Sequence, residues 1–266
     1  PQPAYPVYNA ASLFAGGQVF FMPLSRETGW LPKLDAIPES VASNARLMFL
    51  NYPNNPTAAV APLAFYEKAV AFAKRHNIVI CQDAAYSEMW YESPPPSILQ
   101  VPGAMDCCVE MFSLSKTFNM TGWRLGFAVG NEAVIAALAQ VKSNMDSGQF
   151  NAIQEAGVVA LAGSDRPEIA QLRQMYRQRR DVLVDGLTRL GWQVDRPRAT
   201  FYVWIRCPAG VDSMTTTKRL LAEADVVTIP GVGLGKPGDG YIRCALTVPV
   251  ERIAEAVERI GKVTFA

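Results

Sequence analysis

The sequence predicts an α/β protein, and three observations carry that expectation. Short apolar runs alternate with longer segments of helical period through the first two thirds of the chain, the habit of a mainly parallel sheet flanked by helices. One long helical pattern follows, and beyond it strand patterns and helix patterns mix, as in a smaller α+β domain. With 266 residues, 50% of them hydrophobic, the chain has apolar surface for one large core and a smaller companion.

The elements follow in order. Strand candidates of the large domain are Val19 to Met22, Arg46 to Leu50, Ile78 to Gln82, Cys107 to Phe112 and Arg124 to Val129. Between the second and third, "PLAFYEKAVAFAKRH" puts Pro62 at a first helical turn with Phe65, Ala69 and Phe72 at helical spacing, which completes a βαβ unit. "NEAVIAALAQVKS" reads as a helix after Gly130, and "FNAIQEAGVVALAG" as another ending at Gly163. From Asp165 as cap and Pro167 near the first turn, the apolar series Ile169, Leu172, Tyr176, Val182 and Leu187 predicts one long helix closed by Gly191. Beyond it the pattern is strand, strand, helix, strand, strand, helix, with candidate segments Tyr202 to Ile205, Thr215 to Ala224, Val226 to Ile229, Tyr241 to Ala245 and Val250 to Ile260. The expected division is a large domain over residues 1–170 and a long connecting helix with a small C-terminal domain over residues 171–266.

Composition excludes several functions. Lys and Arg number 25 against 24 Asp and Glu, a net charge of +1, and no basic run offers a track for nucleic acid. A small-molecule partner is expected instead. Apolar runs such as Val134 to Val141 are too short to span a bilayer, and no charged-then-apolar leader opens the chain, so a cytoplasmic location without membrane partners is expected. The five cysteines lack a Cys-x-x-Cys, so neither a disulfide framework nor a zinc site is expected, and no metal ligands are assigned. The single histidine, His76, ends a predicted helix, where the dipole favours it for structural reasons. Histidine-dependent hydrolysis and most zinc chemistry therefore lack their imidazole.

"SLSKTFNMTGWRLG", Ser113 to Gly126, holds the chemistry. Ser113 to Lys116 fits Ser-x-x-Lys of acyl-transfer enzymes, but the Ser-Asp-Asn-like and Lys-Thr-Gly-like elements that accompany it are missing. "PGVGLGKPG" fails as a nucleotide loop, because its glycines have the wrong spacing and Pro237 stands where Ser or Thr is needed. The other reading of the first stretch makes Lys116 the nucleophile. Ser113, Ser115 and Arg124 are good phosphate-binding chemistry, and a lysine beside an arginine has its pKa lowered toward the neutral amine of a Schiff base. Lysine and phosphate site together point to pyridoxal 5'-phosphate. That group needs an acid at its pyridine nitrogen, and Asp83 falls at the carboxyl end of a predicted parallel strand, where ligands of open α/β sheets sit. Tyr86 and Asn55 are candidates for the ring's phenolic oxygen.

"NYPNNPT", "DAAYSEMWYE", "SLSKTFNMTGWRLGFAVG" and "YIRCALT", in this order across the whole chain, resemble the motifs of class I/II pyridoxal-phosphate aminotransferases of fold type I. The resemblance implies that Lys116 is the cofactor-joining lysine and general acid/base, that Asp83 pairs with the pyridinium, and that Asn55 and Tyr86 bind the ring oxygen. It places Ser113, Ser115 and Arg124 on the phosphate, Tyr5 of "AYPVY" against the ring face, and Arg243 on the substrate α-carboxylate with Asn55 nearby. Family members carry a segment ahead of the equivalent of "AYPVY", with a glycine-containing phosphate turn, so the large domain is expected to be N-terminally incomplete. Ala58 stands where a glycine often closes the Asn-Pro-Thr motif.

"KSNMDSGQFNAIQEAGVVAL" resembles the branch containing LL-diaminopimelate aminotransferases and their alanine- or methionine-using relatives. This implies LL-diaminopimelate with 2-oxoglutarate as substrates and a homodimer with shared active sites. The alternatives are an alanine-, aspartate- or methionine-type aminotransferase, a C-S lyase or synthase of the same fold, and a transcriptional regulator with an aminotransferase-like domain.

Overall fold

Residues 1–265 are described by a computed structural model. In chain order the elements are α1 (Val7–Phe14), α2 (Glu39–Ala42), β1 (Leu47–Asn51), α3 (Leu63–His76), β2 (Val79–Asp83), β3 (Cys108–Ser113), α4 (Leu114–Thr117) and β4 (Gly126–Gly130). Then come α5 (Glu132–Asp146), α6 (Asn151–Ala162), α7 (Pro167–Arg189), β5 (Tyr202–Arg206), α8 (Ser213–Ala224), β6 (Ile229–Pro230), β7 (Tyr241–Ala245) and α9 (Val250–Ile260). Contacts divide the chain into two units, one of residues 34–53 and 60–172, the other of residues 1–33, 54–59 and 173–266.

The first unit is built on a sheet of order β1-β2-β3-β4. β1, β2 and β3 run parallel, while β4 returns antiparallel to β3. The parallel strands are continuous apolar runs because both faces are covered, with Leu50, Ile80, Cys108 and Val109 buried. α3 buries Phe65, Tyr66, Ala69, Val70 and Ala73 at helical spacing. Its last turn holds Lys74, Arg75 and His76, and Asn77 closes it in the left-handed region at φ 53°. His76 packs on the Phe72 ring at 4.6 Å, in keeping with a structural place. β4 begins at Gly126, two residues later than its pattern predicts, because Arg124 adopts φ 54° and cannot extend a strand.

The second unit carries a sheet of order β5-β7-β6, antiparallel throughout. Leu24, Trp30, Trp204 and Leu234 form a buried cluster, with Trp30 edge-on to Trp204 at 6.3 Å. α7 ends before Gly191, at φ 84°, as predicted. α9 buries Ile253, Val257 and Ile260, and it lies close to α7 because a side chain at Gly186 would run into Val257.

Three sequence expectations are corrected. Val19 to Met22 forms no strand: the nearest bridge, Gln2 to Pro23, falls just after it, and Phe20 and Phe21 stay exposed. The strand at Val226 to Ile229 shrinks to Ile229–Pro230, because the Val226 amide is spent on Leu220 at the end of α8. α1 forms where no element was predicted, its turns closed by bonds such as Ser12 Oγ to the Tyr8 carbonyl at 2.8 Å. The five cysteines are unpaired and buried. Among the described residues no helix is long and apolar enough to cross a membrane.

Candidate active site

Two clusters hold the predicted residues, one in each unit. In the first, Asp83 ends β2 and Ser113 ends β3, so both lie at the carboxyl edge of the parallel strands. Such edges collect ligands because the strands stop while the connecting loops open there. Asn51, buried at the end of β1 and in register with Asp83, donates its amide to the Asp83 carbonyl at 2.9 Å. Asp83 Oδ1 accepts from the Ala85 amide at 3.1 Å, which fixes the turn that leads to the buried Tyr86.

Beyond Ser113 the chain makes the single turn of α4. Ser113 Oγ accepts from the Ser115 amide at 3.2 Å, so this hydroxyl serves as an N-cap. Lys116 is presented from that turn. Thr121 Oγ1 donates to the Ser115 carbonyl at 3.0 Å, Arg124 Nη1 to the Thr121 carbonyl at 3.0 Å, and Gln149 Nε2 to the Arg124 carbonyl at 2.6 Å. α6 lies against this loop at Gly157, whose missing side chain leaves room for Leu125 and Leu114. The lysine loop is thus closed mainly by its own hydrogen bonds, with Gln149 and α6 supporting it from outside.

Electrostatics then act on the lysine. Burial, and after it the Arg124 guanidinium, hold the Lys116 ammonium below its ordinary pKa, while the Asp83 carboxylate pulls the other way. The structure brings Lys116, Arg124 and Asp83 into one field, with Ser113 and Ser115 flanking the lysine.

The second cluster lies in the other unit. Asn54 is fully buried, and its Oδ1 accepts from the Thr57 amide at 3.0 Å and from Thr57 Oγ1 at 2.7 Å. This tight turn includes Ala58 at φ 59°, the conformation that makes glycine common there. It fixes Asn55, whose Oδ1 accepts from Arg243 Nη1 at 2.6 Å. The Arg243 guanidinium also lies over the Tyr202 ring, 4.2 Å from its centroid, and its Nε is buried without a hydrogen-bond partner among the described residues. Tyr5 is exposed and meets Tyr8 edge-on at 6.2 Å.

Asn51, Gln82, Thr121 and Tyr202 escaped the sequence reading. Gln82 is fully buried in β2, and its amide donates to the Tyr52 carbonyl at 2.6 Å and to the Tyr66 hydroxyl at 3.1 Å. A polar residue inside an apolar strand was the signal for it; Thr121 and Tyr202 gave none. Among the described residues no cluster of His, Cys, Asp or Glu could hold a metal ion.

The sheet with a lysine at its carboxyl edge places the chain among enzymes of fold type I. The family model "Aminotransferase class I and II" matches residues 1–260. The LL-diaminopimelate aminotransferase of Syntrophobacter fumaroxidans is 54% identical over 266 residues, covering 100% of this chain and 68% of that protein. That of Moorella thermoacetica is 50% identical over 270 residues, with 100% and 69% covered. A substrate-bound structure of BacF from Bacillus subtilis superposes with a TM-score of 0.95 at 40% identity, over 98% of this chain and 67% of that one. The chain therefore belongs to the class I and II aminotransferases, and spans about two thirds of the length of these relatives.

Proposed function

We propose that this aminotransferase binds pyridoxal 5'-phosphate and moves an amino group from LL-diaminopimelate to 2-oxoglutarate. The observation that carries the cofactor assignment is the placement of Lys116, Ser113 and Asp83 at the carboxyl edge of the parallel strands, with Arg124 close enough to act on the lysine. The donor set fits the group: a lysine biased toward its neutral amine, an arginine and two serines for a phosphate, and a carboxylate for a pyridine nitrogen. Relatives at 50 to 54% identity named for LL-diaminopimelate support the substrate.

When bound, pyridoxal 5'-phosphate supplies an aldehyde for amines and a ring that accepts the electron pair left at the substrate α-carbon. Lys116 would hold the group covalently and would take and return the α-proton at Nζ. Asp83 keeps the proton on the pyridine nitrogen. Asn55 and Tyr86 would donate toward the ring oxygen, Tyr5 would cover the ring face, and Ser113, Ser115 and Arg124 would bind the phosphate. Arg243 grips the α-carboxylate through its fork. We read the enzyme as a cytoplasmic homodimer. The exposed apolar side chains of Val141 and Met145 on α5, Phe150, and Val158 and Val159 on α6 support an association surface.

Borohydride reduction of the pyridoxal-phosphate-loaded protein, followed by peptide mapping, is expected to leave a pyridoxyl group on Lys116. A group elsewhere, or none, overturns the assignment. Glutamate must then form from LL-diaminopimelate and 2-oxoglutarate; turnover of the amino acid without any amino-acid product would instead indicate a lyase.

A further inference from the structure

We infer that Tyr202 is a positioning residue for carboxylate recognition, its ring limiting how the Arg243 guanidinium meets the substrate. This rests on the reading of Arg243 as the carboxylate-binding arginine.

The geometry begins with strand register. β5 and β7 are antiparallel, with Trp204 opposite Arg243 and Tyr202 opposite Ala245. Tyr202 and Arg243 are therefore diagonal neighbours on one face, within reach of a long side chain. Arg243 Cζ stands 4.2 Å from the Tyr202 ring centroid, well inside the range of a cation over an aromatic face. A ring this close to Cζ blocks the guanidinium on that side and limits how far it can swing about its stem. Asn55 restrains it further by accepting from Nη1 at 2.6 Å. Nε is buried without a hydrogen-bond partner among the described residues, so a carboxylate reaching this guanidinium meets a donor that the protein leaves unsatisfied.

The ring is itself fixed. Thr200 is fully buried at φ 65°, a region that β-branched residues avoid. Strain of this kind persists only where the surroundings over-determine it, and it collects at functional sites. Here Thr200 Oγ1 accepts from the Tyr202 amide at 3.0 Å, so the strained residue clasps the start of β5. Phe201 stacks on Tyr176 at 5.6 Å and tilts against Tyr202 at 4.8 Å, which closes the other side. A strained threonine, an aromatic stack and a strand register thus converge on one ring, and that ring carries one arginine.

Tyr202 touches neither cofactor nor reacting atoms in this scheme, so its loss acts on binding rather than on turnover. The test compares wild type, Tyr202→Phe and Tyr202→Leu, each loaded with pyridoxal 5'-phosphate. KM and kcat are measured for the amino-acid donor, and the Kd of succinate, a simple dicarboxylate, by calorimetry. Tyr202→Leu is expected to raise both KM and Kd about 5- to 30-fold, the range for a partly desolvated cation over a ring, with kcat within about twofold. Tyr202→Phe keeps the π face and is expected to restore both constants to within about twofold of wild type. Unchanged constants in Tyr202→Leu overturn the inference. So does an equal loss in both variants, which would assign the effect to the hydroxyl, or a loss confined to kcat and thermal stability. Ring-dependent succinate binding in a protein that transfers no amino group sustains the inference and defeats the proposed function. Normal succinate binding by Tyr202→Leu in an active aminotransferase does the reverse.

Discussion

The lysine cluster and the arginine cluster are assembled over very different distances in sequence. Around Lys116 three bonds span 2 residues (Ser115 to Ser113), 6 (Thr121 to Ser115) and 3 (Arg124 to Thr121), and one, Gln149 to Arg124, spans 25. Around Arg243 the decisive bond spans 188 residues, to Asn55. A loop closed by near neighbours costs little chain entropy and is shaped by its own side chains. A site closed across most of the chain exists only once the sheet that carries it has formed. Damage to the first should therefore appear in the chemistry, and damage to the second in binding.

The largest expected effect is at the lysine. Lys116→Arg keeps the charge but removes the amine proposed to join the cofactor and carry the proton, and kcat is expected to fall on the order of 10⁴-fold. Steady-state assay with the donor amino acid checks this, and a variant with near-normal kcat would break the assignment. Next in size is Arg243→Lys, which replaces a fork by a point charge. KM should rise about 10- to 100-fold with kcat little changed, because a hydrogen bond to a charged group contributes roughly 1.5–3 kcal/mol. An equal fall in kcat would erase the distinction between the two clusters.

Smaller effects sharpen the electrostatic side of the comparison. A neutral amine reacts with acylating reagents and an ammonium does not, so labelling of Lys116 in cofactor-free protein reports its pKa against pH. Arg124→Gln removes a repelling cation and should move the labelling midpoint to higher pH, whereas Asp83→Asn removes an attracting anion and should move it lower. No shift in either variant would show that burial alone sets the lysine. The smallest effect is at Ala58. At φ 59° an L-residue costs about 1–2 kcal/mol. Glycine there carries an entropic cost of about 0.5–1 kcal/mol. Ala58→Gly should therefore raise the thermal midpoint by about 1–4 °C, measured by calorimetry.

Legibility followed the same division. β1, β2 and β3 were readable because strands buried on both faces are continuous apolar runs, and α9 because its apolar residues repeat at helical spacing. α8 begins at Ser213, two residues before its predicted start, because Asp212 caps it by accepting from the Thr215 amide at 2.7 Å, a local signal that the apolar pattern does not carry. Tyr202 read as an ordinary strand aromatic. Nothing in its neighbourhood announced that an arginine from another strand would lie over it.

By itself the sequence determined the periodicity of the main strands and helices and the internal closure of the lysine loop. These depend on side-chain spacing and on hydrogen bonds within a few residues. Tertiary structure alone decided that Leu24 and Trp30 would pack with Trp204 and Leu234, that Arg243 would bond to Asn55, and that Tyr202 would carry its guanidinium. Such contacts join segments whose patterns are complete without one another. They are chosen only by the register and packing of the folded chain.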